Sequence, residues 1–505
     1  MFQRVRRLSA CLVAGSVIAL VSERGDLWTS QEPNSQPQLW SLISAPLVGP
    51  DGTIYLLATL GEVRWQHRLD GIPQDTPTEG PGHDYLYALK LDGTQKWRFA
   101  LGGSKTAWAL KIGPSGTVYV ADNHELYAID SKGACKWELP YPGESGWLDF
   151  GPDGTIYLAG GARLPKPSRH FELLFDASGP LGPEGVLFAL NSDGTQKWKT
   201  GAQGTHVVGP DGTLYLTAGN LLQAINPEGR RRWSLALGEV FVRALCCPQL
   251  KSGNAWAIYA VGNDNLCAVA PNGTQKWKFP FAGQLVESLD IGPDGTIYFP
   301  ANTANGHGRV YALRTDGTQK WKFGGRGWID TVWARSKGAI YVEGEGPGSP
   351  DWMDPGELYA LESDGTLAWE LPCREDSRQC RVARGNFDGT WDWQEPWQAG
   401  LHALGVLALG PDDSLYVKED YAQMGIGSVV AVGPDGEAKW DFGYGEFSLA
   451  FGADGTIYVA ENKPAACVDC VRGSALDALT PAGDQKWAFS PGVKIGGPAV
   501  NTPRQ

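Results

Sequence analysis

The chain has 505 residues, with 67 Gly, 21 Trp and only 3 Met, and carries 43 basic against 56 acidic side chains for a net charge of −13. So much glycine and aromatic residue with few long amphipathic helical stretches reads as strands and tight turns, because glycine supplies positive φ and aromatics pack on pleated surfaces. The acidic balance weighs against a basic stripe able to displace counterions from nucleic acid, and the seven scattered His, with no HExxH and no pair of CxxC motifs at zinc spacing, signal no transition-metal site.

In chain order, residues 1–21 place Arg4, Arg6 and Arg7 before an apolar run too short for an ordinary membrane helix. This is the layout of a secretory signal or N-terminal anchor, so the protein is expected in the periplasm, cell envelope or medium of a bacterium. Leu8 to Cys11 also spells a lipobox, although the apolar run follows Cys11 instead of preceding it. Residues 22–42 form an N-terminal segment, and 43–500 a single repetitive domain.

Within that domain GPDGTIY occurs at 49–55, 151–157 and 292–298, with variants at 113–119, 209–215, 410–416 and 452–458. A second element follows each, as in YALKLDGTQKWRF at 87–99 or YALRTDGTQKWKF at 311–323. Nine tryptophans mark it: Trp97, Trp137, Trp198, Trp233, Trp277, Trp321, Trp369, Trp440 and Trp487, at spacings as short as 35 (Trp198 to Trp233) to 48 residues (Trp321 to Trp369). Each unit reads as four antiparallel strands: A before GPDG, B at TIY, C at LYAL and D at KWxF. Asp-Gly pairs supply the turns, since Asp bonds nearby backbone and Gly accepts positive φ. The small Ala of YAL leaves room for the strand D Trp, which is expected to pack between units. The predicted fold is all-β: a single β-propeller of four-stranded antiparallel blades, eight or nine in number, with nine repeats counted. QLW at 38–40 echoes a strand D, and IGGPAV at 495–500 echoes ISAPLV at 43–48, so the ends are expected to zip together.

The repeat resembles that of the pyrroloquinoline quinone (PQQ) propeller family, whose blades carry an Ala, Gly and Trp docking motif; here it stands as ALKLDGTQKW, AIDSKGACKW, ALNSDGTQKW and six further variants over roughly 43–489. The resemblance is shared with the propeller lipoprotein of the β-barrel assembly machinery and implies a binding scaffold. Its enzymatic members imply an alternative, an alcohol or sugar dehydrogenase dependent on PQQ and Ca²⁺. Vicinal Cys246 and Cys247 are the sharpest hint of it, since such enzymes hold a vicinal disulfide against the quinone. Alignment with neighbouring units puts the pair at the end of strand A near the tight turns, and no persuasive calcium set assembles around Asp149 or Asp290.

The long insertions, at 58–84, 159–185, 301–308, 343–356, 372–402, 419–427 and 461–474, all fall in B to C and D to A connections, which share one face of the disc. That face is the expected binding site for a protein or polysaccharide partner. Trp391, Trp393 and Trp397 among acidic residues, and Trp352, are the candidate contacts, against the plainer reading that they plug the ring as local core. Arg163, Lys166, Arg169 and His170 read as a solvated loop. Cys373 with Cys380, and Cys467 with Cys470, are expected loop disulfides; Cys135 and Cys267 lie in strands. The chain therefore reads as a monomeric binding platform more than an enzyme, with no cofactor and no catalytic or metal site, no nucleic-acid partner, and membrane contact only through its N-terminus.

Overall fold

The computed structural model describes residues 17–21, 27–31, 38–42 and most of 44–490. Outside the description lie chiefly 67–75, 161–185, most of 238–255, 346–355, most of 372–401, 422–426, 463–473, both chain ends and some short turns. Every regular element among the described residues is a strand, and none is a helix long and apolar enough to cross a membrane.

Each repeat folds into an antiparallel A-B-C-D meander. The second repeat is representative: Ala109–Ile112, Val118–Ala121, Glu125–Ile129 and Cys135–Pro140 pair in sequence order. In the first repeat, strands Ile54–Gln66 and Thr76–Leu89 run on as a long ribbon, so much of the 58–84 insertion is an extension of B and C. Gln38–Leu42 corrects one expectation. Despite its QLW echo it is no strand D; it pairs with Ile54–Gln66, in line with Leu47–Val48, as the leading half of strand A. Val17–Val21, at the end of the expected signal segment, pairs with Leu27–Gln31.

The turns show why Asp-Gly recurs. At the first A to B turn Gly52 donates to Gly49 O, Gly49 donates to Thr53 O, and Asp51 accepts from both the Thr53 amide and hydroxyl. This is a type I turn closed by a residue in the left-handed region, and Gly52 takes it at φ 77°. The C to D turns repeat it, with the register shifting between Ala88 and Leu89 and at the matching Ala of the other repeats.

The hydrophobic core is divided. Nine clusters of buried residues are found among the described residues, and each lies between two neighbouring sheets. The eighth and ninth clusters in chain order join Tyr416 and Val429 to Ile457 and Val459, and then Tyr458 and Leu476 to Leu56 and Tyr87 of the first repeat.

At each seam the strand D Trp is the organising side chain. It stands opposite the Ala of strand C, as Trp321 does opposite Ala312, and its ring tilts against the strand B Tyr of its own sheet, here Tyr298. Its Nε1 then donates to a carbonyl in the C to D turn of the next sheet: Trp97 to Ser131, Trp198 to Pro227, Trp321 to Ser363 and Trp440 to Pro481. Trp487 makes the same bond to Leu91 O, 396 residues earlier, at 2.7 Å. The indoles are half-buried, their solvent edge left at the rim. Repeated four-stranded sheets stacked face to face in this way make a β-propeller architecture.

The left-handed glycine of each C to D turn meets the indole of the preceding sheet: a Cβ on Gly194 would lie 2.8 Å from Trp137, whereas one on Gly154, in an A to B turn, would meet nothing within 4 Å. Both have positive φ, 85° and 80°. Gly154→Ala should therefore cost only the backbone penalty, about 1 to 2 kcal/mol. Gly194→Ala should cost clearly more, because it also displaces the indole; equal shifts in thermal denaturation midpoint would contradict the docking role of the glycine.

Candidate functional site

Two ends of the stack differ in kind. On the A to B and C to D end, the carboxylate of the A to B turn, the Thr two residues on and a cation of strand D form a recurrent triad. Lys197 Nζ lies 2.6 Å from Thr155 Oγ1 and 3.3 Å from Asp153, Lys320 lies 2.9 Å from Thr296 and 3.0 Å from Asp294, and Arg232 replaces lysine against Thr213 and Asp211. The Thr296 bonds and Lys320 outweigh partial burial and hold Asp294 down to about 2. These triads tie the turn to strand D and leave little for a ligand.

The eighth repeat departs from this pattern. Asp413 replaces the turn glycine and is the one non-glycine among the described residues with positive φ, at 69°. Arg335 of the preceding sheet donates through Nε to Asp413 Oδ1 and through a terminal nitrogen to Gly410 O, with Lys337 Nζ 3.3 Å from the other oxygen. A left-handed Asp is held here by an ion pair across the seam.

The B to C and D to A end carries the candidate binding surface. Trp391 lies in a short strand, Trp391–Asp392, paired with Arg384–Gly385. Trp352, Trp393 and Trp397 lie outside the described residues, as do Cys246, Cys247, Cys373, Cys380, Cys467 and Cys470 and the basic cluster at Arg163 to His170. Cys135 is an exposed free thiol on strand D, and Cys267 is buried with its thiol 3.5 Å from Asn265 Oδ1.

One aromatic the sequence reading did not single out stands on this end. Trp328 is 45% exposed in the connection between the sixth and seventh sheets. Its backbone is fixed from both sides: Gly308 donates to Gly327 O, Gly325 donates to Gly308 O, and Asn302 bonds both the amide and the carbonyl of Ile329. Gly306 lies beside its Nε1. Next to it Arg326 is held by Glu370 and Glu357, and its amide donates to the Tyr359 hydroxyl, which itself bonds Glu357. The result is an exposed indole on a fixed backbone beside fixed charges, suited to stacking or anchoring a partner. Its sequence signal was available: GGRGW places a Trp outside the strand D spacing, within a glycine-rich D to A connection.

Of the residues weighed for a calcium site, Asp290 has both carboxylate oxygens committed to backbone amides. It accepts the Ile291 amide with one oxygen and the Ala334 amide of the next sheet with the other, and burial raises its pKa. It is a clasp between the inner strands, joined by Ser288, which accepts the Val332 amide. Among the described residues no group of three His, Cys, Asp or Glu is placed to hold a metal ion.

Two ionisable groups lie at seams, His206 buried and Glu343 partly buried. His206 occupies a strand A position that is Leu148 in the third repeat and Leu407 in the eighth; it packs edge-on against Trp147, its ring nitrogens bond no partner, and burial, with the charge of Lys111, lowers its pKa to about 3. Glu343 accepts the Val406 amide of the next sheet, and burial raises its pKa to about 7.

No protein-family model and no curated protein sequence matches the chain. Among solved structures, it is similar to the Dos1 propeller (13% identity, 84% of this chain and 92% of that one, TM-score 0.43). It is similar also to the dihydro-heme d1 dehydrogenase NirN in complex with DHE (12%, 66% and 68%, TM-score 0.39). A protein of unknown function from Bacteroides caccae follows (14%, 49% and 89%, TM-score 0.28). Likenesses this distant carry no argument, and the architecture rests on the chain's own sheets.

The two groups predict opposite pH signatures. Glu343 has a folded pKa above its unfolded value, so its neutral form is harmless below about pH 4.5 and stability is lost as pH rises through 7. Glu343→Gln should gain stability above pH 8 and almost nothing near pH 4.5. His206 has a depressed folded pKa, so stability is intact above about 6.5 and lost as pH falls toward 3. His206→Leu should therefore gain more at about pH 4.5 than at pH 8. Denaturant midpoints of both variants across this range check the signs.

Proposed function

We propose that the nine repeat sheets close into one ring and that the protein is a non-catalytic scaffold, exported to the bacterial envelope or medium, that binds a protein or glycan partner on its loop-rich face. Closure is supported by the seam between the ninth and first repeats, which carries all the contacts of an internal seam. Trp487 bonds Leu91 O and packs on Gly93, and Asn462 bonds both the amide and the carbonyl of Leu42, as Asn302 does with Ile329. A nine-bladed ring thereby accounts for every repeat without leaving one outside.

The observation that carries the binding role is Trp328, an indole exposed on the face that also takes the insertions and held there by backbone bonds on both sides. An aromatic anchor on a rigid frame loses little freedom on binding. With Trp391, Trp393, Trp397 and Trp352 in neighbouring connections, it forms our candidate partner surface. The family resemblance and the arginine-led apolar N-terminus support envelope or extracellular placement. The ring is proposed to act as a monomer without cofactor, with short disulfides Cys373 to Cys380 and Cys467 to Cys470 bracing two loops.

A pull-down from the native envelope, paired with a glycan array, tests this reading. The wild-type protein should retain a partner or glycan that Trp328→Ala and the Trp391→Ala, Trp393→Ala double variant lose while keeping the wild-type melting curve. Stoichiometric PQQ and Ca²⁺ binding with dye-linked turnover would overturn the scaffold reading. Closure has its own check: Asn462→Ala and Asn302→Ala should destabilise alike, by about 1 to 3 kcal/mol for the stranded backbone groups, and a silent Asn462→Ala would argue for an open stack.

A further inference from the structure

We propose that the outer rim of the third to sixth repeats is a second binding surface, for a flexible anionic polysaccharide. Strand D ends each of these sheets and is bonded on one side only, so its free edge and its outward side chains face solvent. There stand Lys199, Arg230, Arg231, Lys276, Lys278 and Lys322, all exposed. The same strands also carry the triad cations Lys197, Arg232 and Lys320. The same stretches also carry exposed Asp193, Glu228 and Asp316, whereas those of the seventh and eighth repeats carry exposed Glu362, Asp364, Asp435, Glu437 and Asp441 with Lys439. In a chain of net charge −13, the rim arc of these four sheets thus carries more exposed cations than anions, against the overall balance. The four sheets stand side by side because the third packs on the fourth, the fourth on the fifth and the fifth on the sixth. The arc therefore does not depend on closure of the ring or on the loop-rich face.

The form of the surface selects the occupant. Screening confines electrostatic attraction to within about 10 Å, so the arc acts on a ligand independently of the acidic remainder. The outward edges of stacked radial sheets are convex, and a second rigid copy would touch them along a narrow strip, far below the roughly 800 Å² per partner of a stable interface. A flexible linear chain can follow them from one sheet to the next. No base-stacking platform is offered, because each strand D indole lies against the glycine of the following sheet and has its N–H committed there, as Trp233 does with Gly273 and Pro271. What remains is point charge at intervals, which suits a polysaccharide bearing carboxylate or sulfate on successive units.

The test is fluorescence anisotropy of labelled dextran sulfate and labelled alginate with the full chain, at about 50 and 200 mM salt. Binding to at least one should be present at the lower salt and fall steeply at the higher. The variant Lys199→Gln, Arg231→Gln, Lys278→Gln, Lys322→Gln should weaken it by about tenfold or more. A control, Lys90→Gln with Lys132→Gln, removes cations from the first and second repeats and should stay within about twofold; thermal melts establish that both variants fold. Absence of binding by the wild type at low salt, or equal loss in the control, overturns the proposal. Tighter binding of DNA than of either polysaccharide reassigns the rim to nucleic acid and overturns it too. So does salt-reversible self-association of the protein alone that the fourfold variant abolishes.

Discussion

The structure depends on one repeated contact, an indole laid on the glycine of the next sheet with its N–H given to the carbonyl two residues before that glycine. It joins three requirements in a single place. The Ala opposite the Trp must be small, the glycine must lie in the left-handed region, and no Cβ can stand there, since on Gly317 it would be 2.6 Å from Trp277. A packing contact alone would tolerate sliding between sheets; the directed N–H bond fixes their rotation. Because the hydrophobic clusters all lie between sheets, no sheet is stable as a unit, and stability is a sum over seams.

Departures from the repeat gain meaning against that regularity. Asp413 is costly in backbone terms, yet it faces Arg335, which itself stands where other repeats have the glycine of GPDG. The two substitutions make one ion pair across the seam between the seventh and eighth sheets, the seam spanned by the insertion at 372–402. A long connection weakens the tether between the sheets it joins, and a buried, geometrically fixed pair restores a specific register. His206 and Glu343 are unlike it. They place polar groups at seams with little or no pairing, and loss of solvent shifts each toward its neutral form.

The periodic part of the molecule was legible in the sequence because it follows from local chemistry repeated nine times. Trp, Ala and Asp-Gly each carry their own geometric demand, and their spacing names the strands. What could not be read depends on partners far along the chain. QLW at 38–40 resembles a strand D by composition, but strand identity is decided by the neighbour, and Gln38–Leu42 finds Ile54–Gln66. The role of Asp290 likewise depends on a distant partner, since one of its oxygens accepts the Ala334 amide of the next sheet. Trp328 lies outside the repeat, so a search for self-similarity passes over it. The sorting of rim charge by repeat is visible in the sequence only once the strand D segments are known to stand side by side.

The same clasp explains why insertions crowd one end. The carbonyl that receives each indole N–H and the glycine that supports the ring both lie in the C to D turn, and the Asp-Thr-cation triads tie the A to B turn to strand D beside it. Lengthening either turn would move an acceptor, a docking surface or a triad carboxylate, and so would loosen a seam. The B to C and D to A connections carry no such fixed geometry in most repeats, and length can accumulate there at small cost. Where a connection on that end is short and bonded on both sides, as at Gly325 to Ile329, the backbone that presents its exposed side chain is fixed. A face that is free to vary in length, on a frame that is not, is an arrangement in which loops can diversify without disturbing the seams.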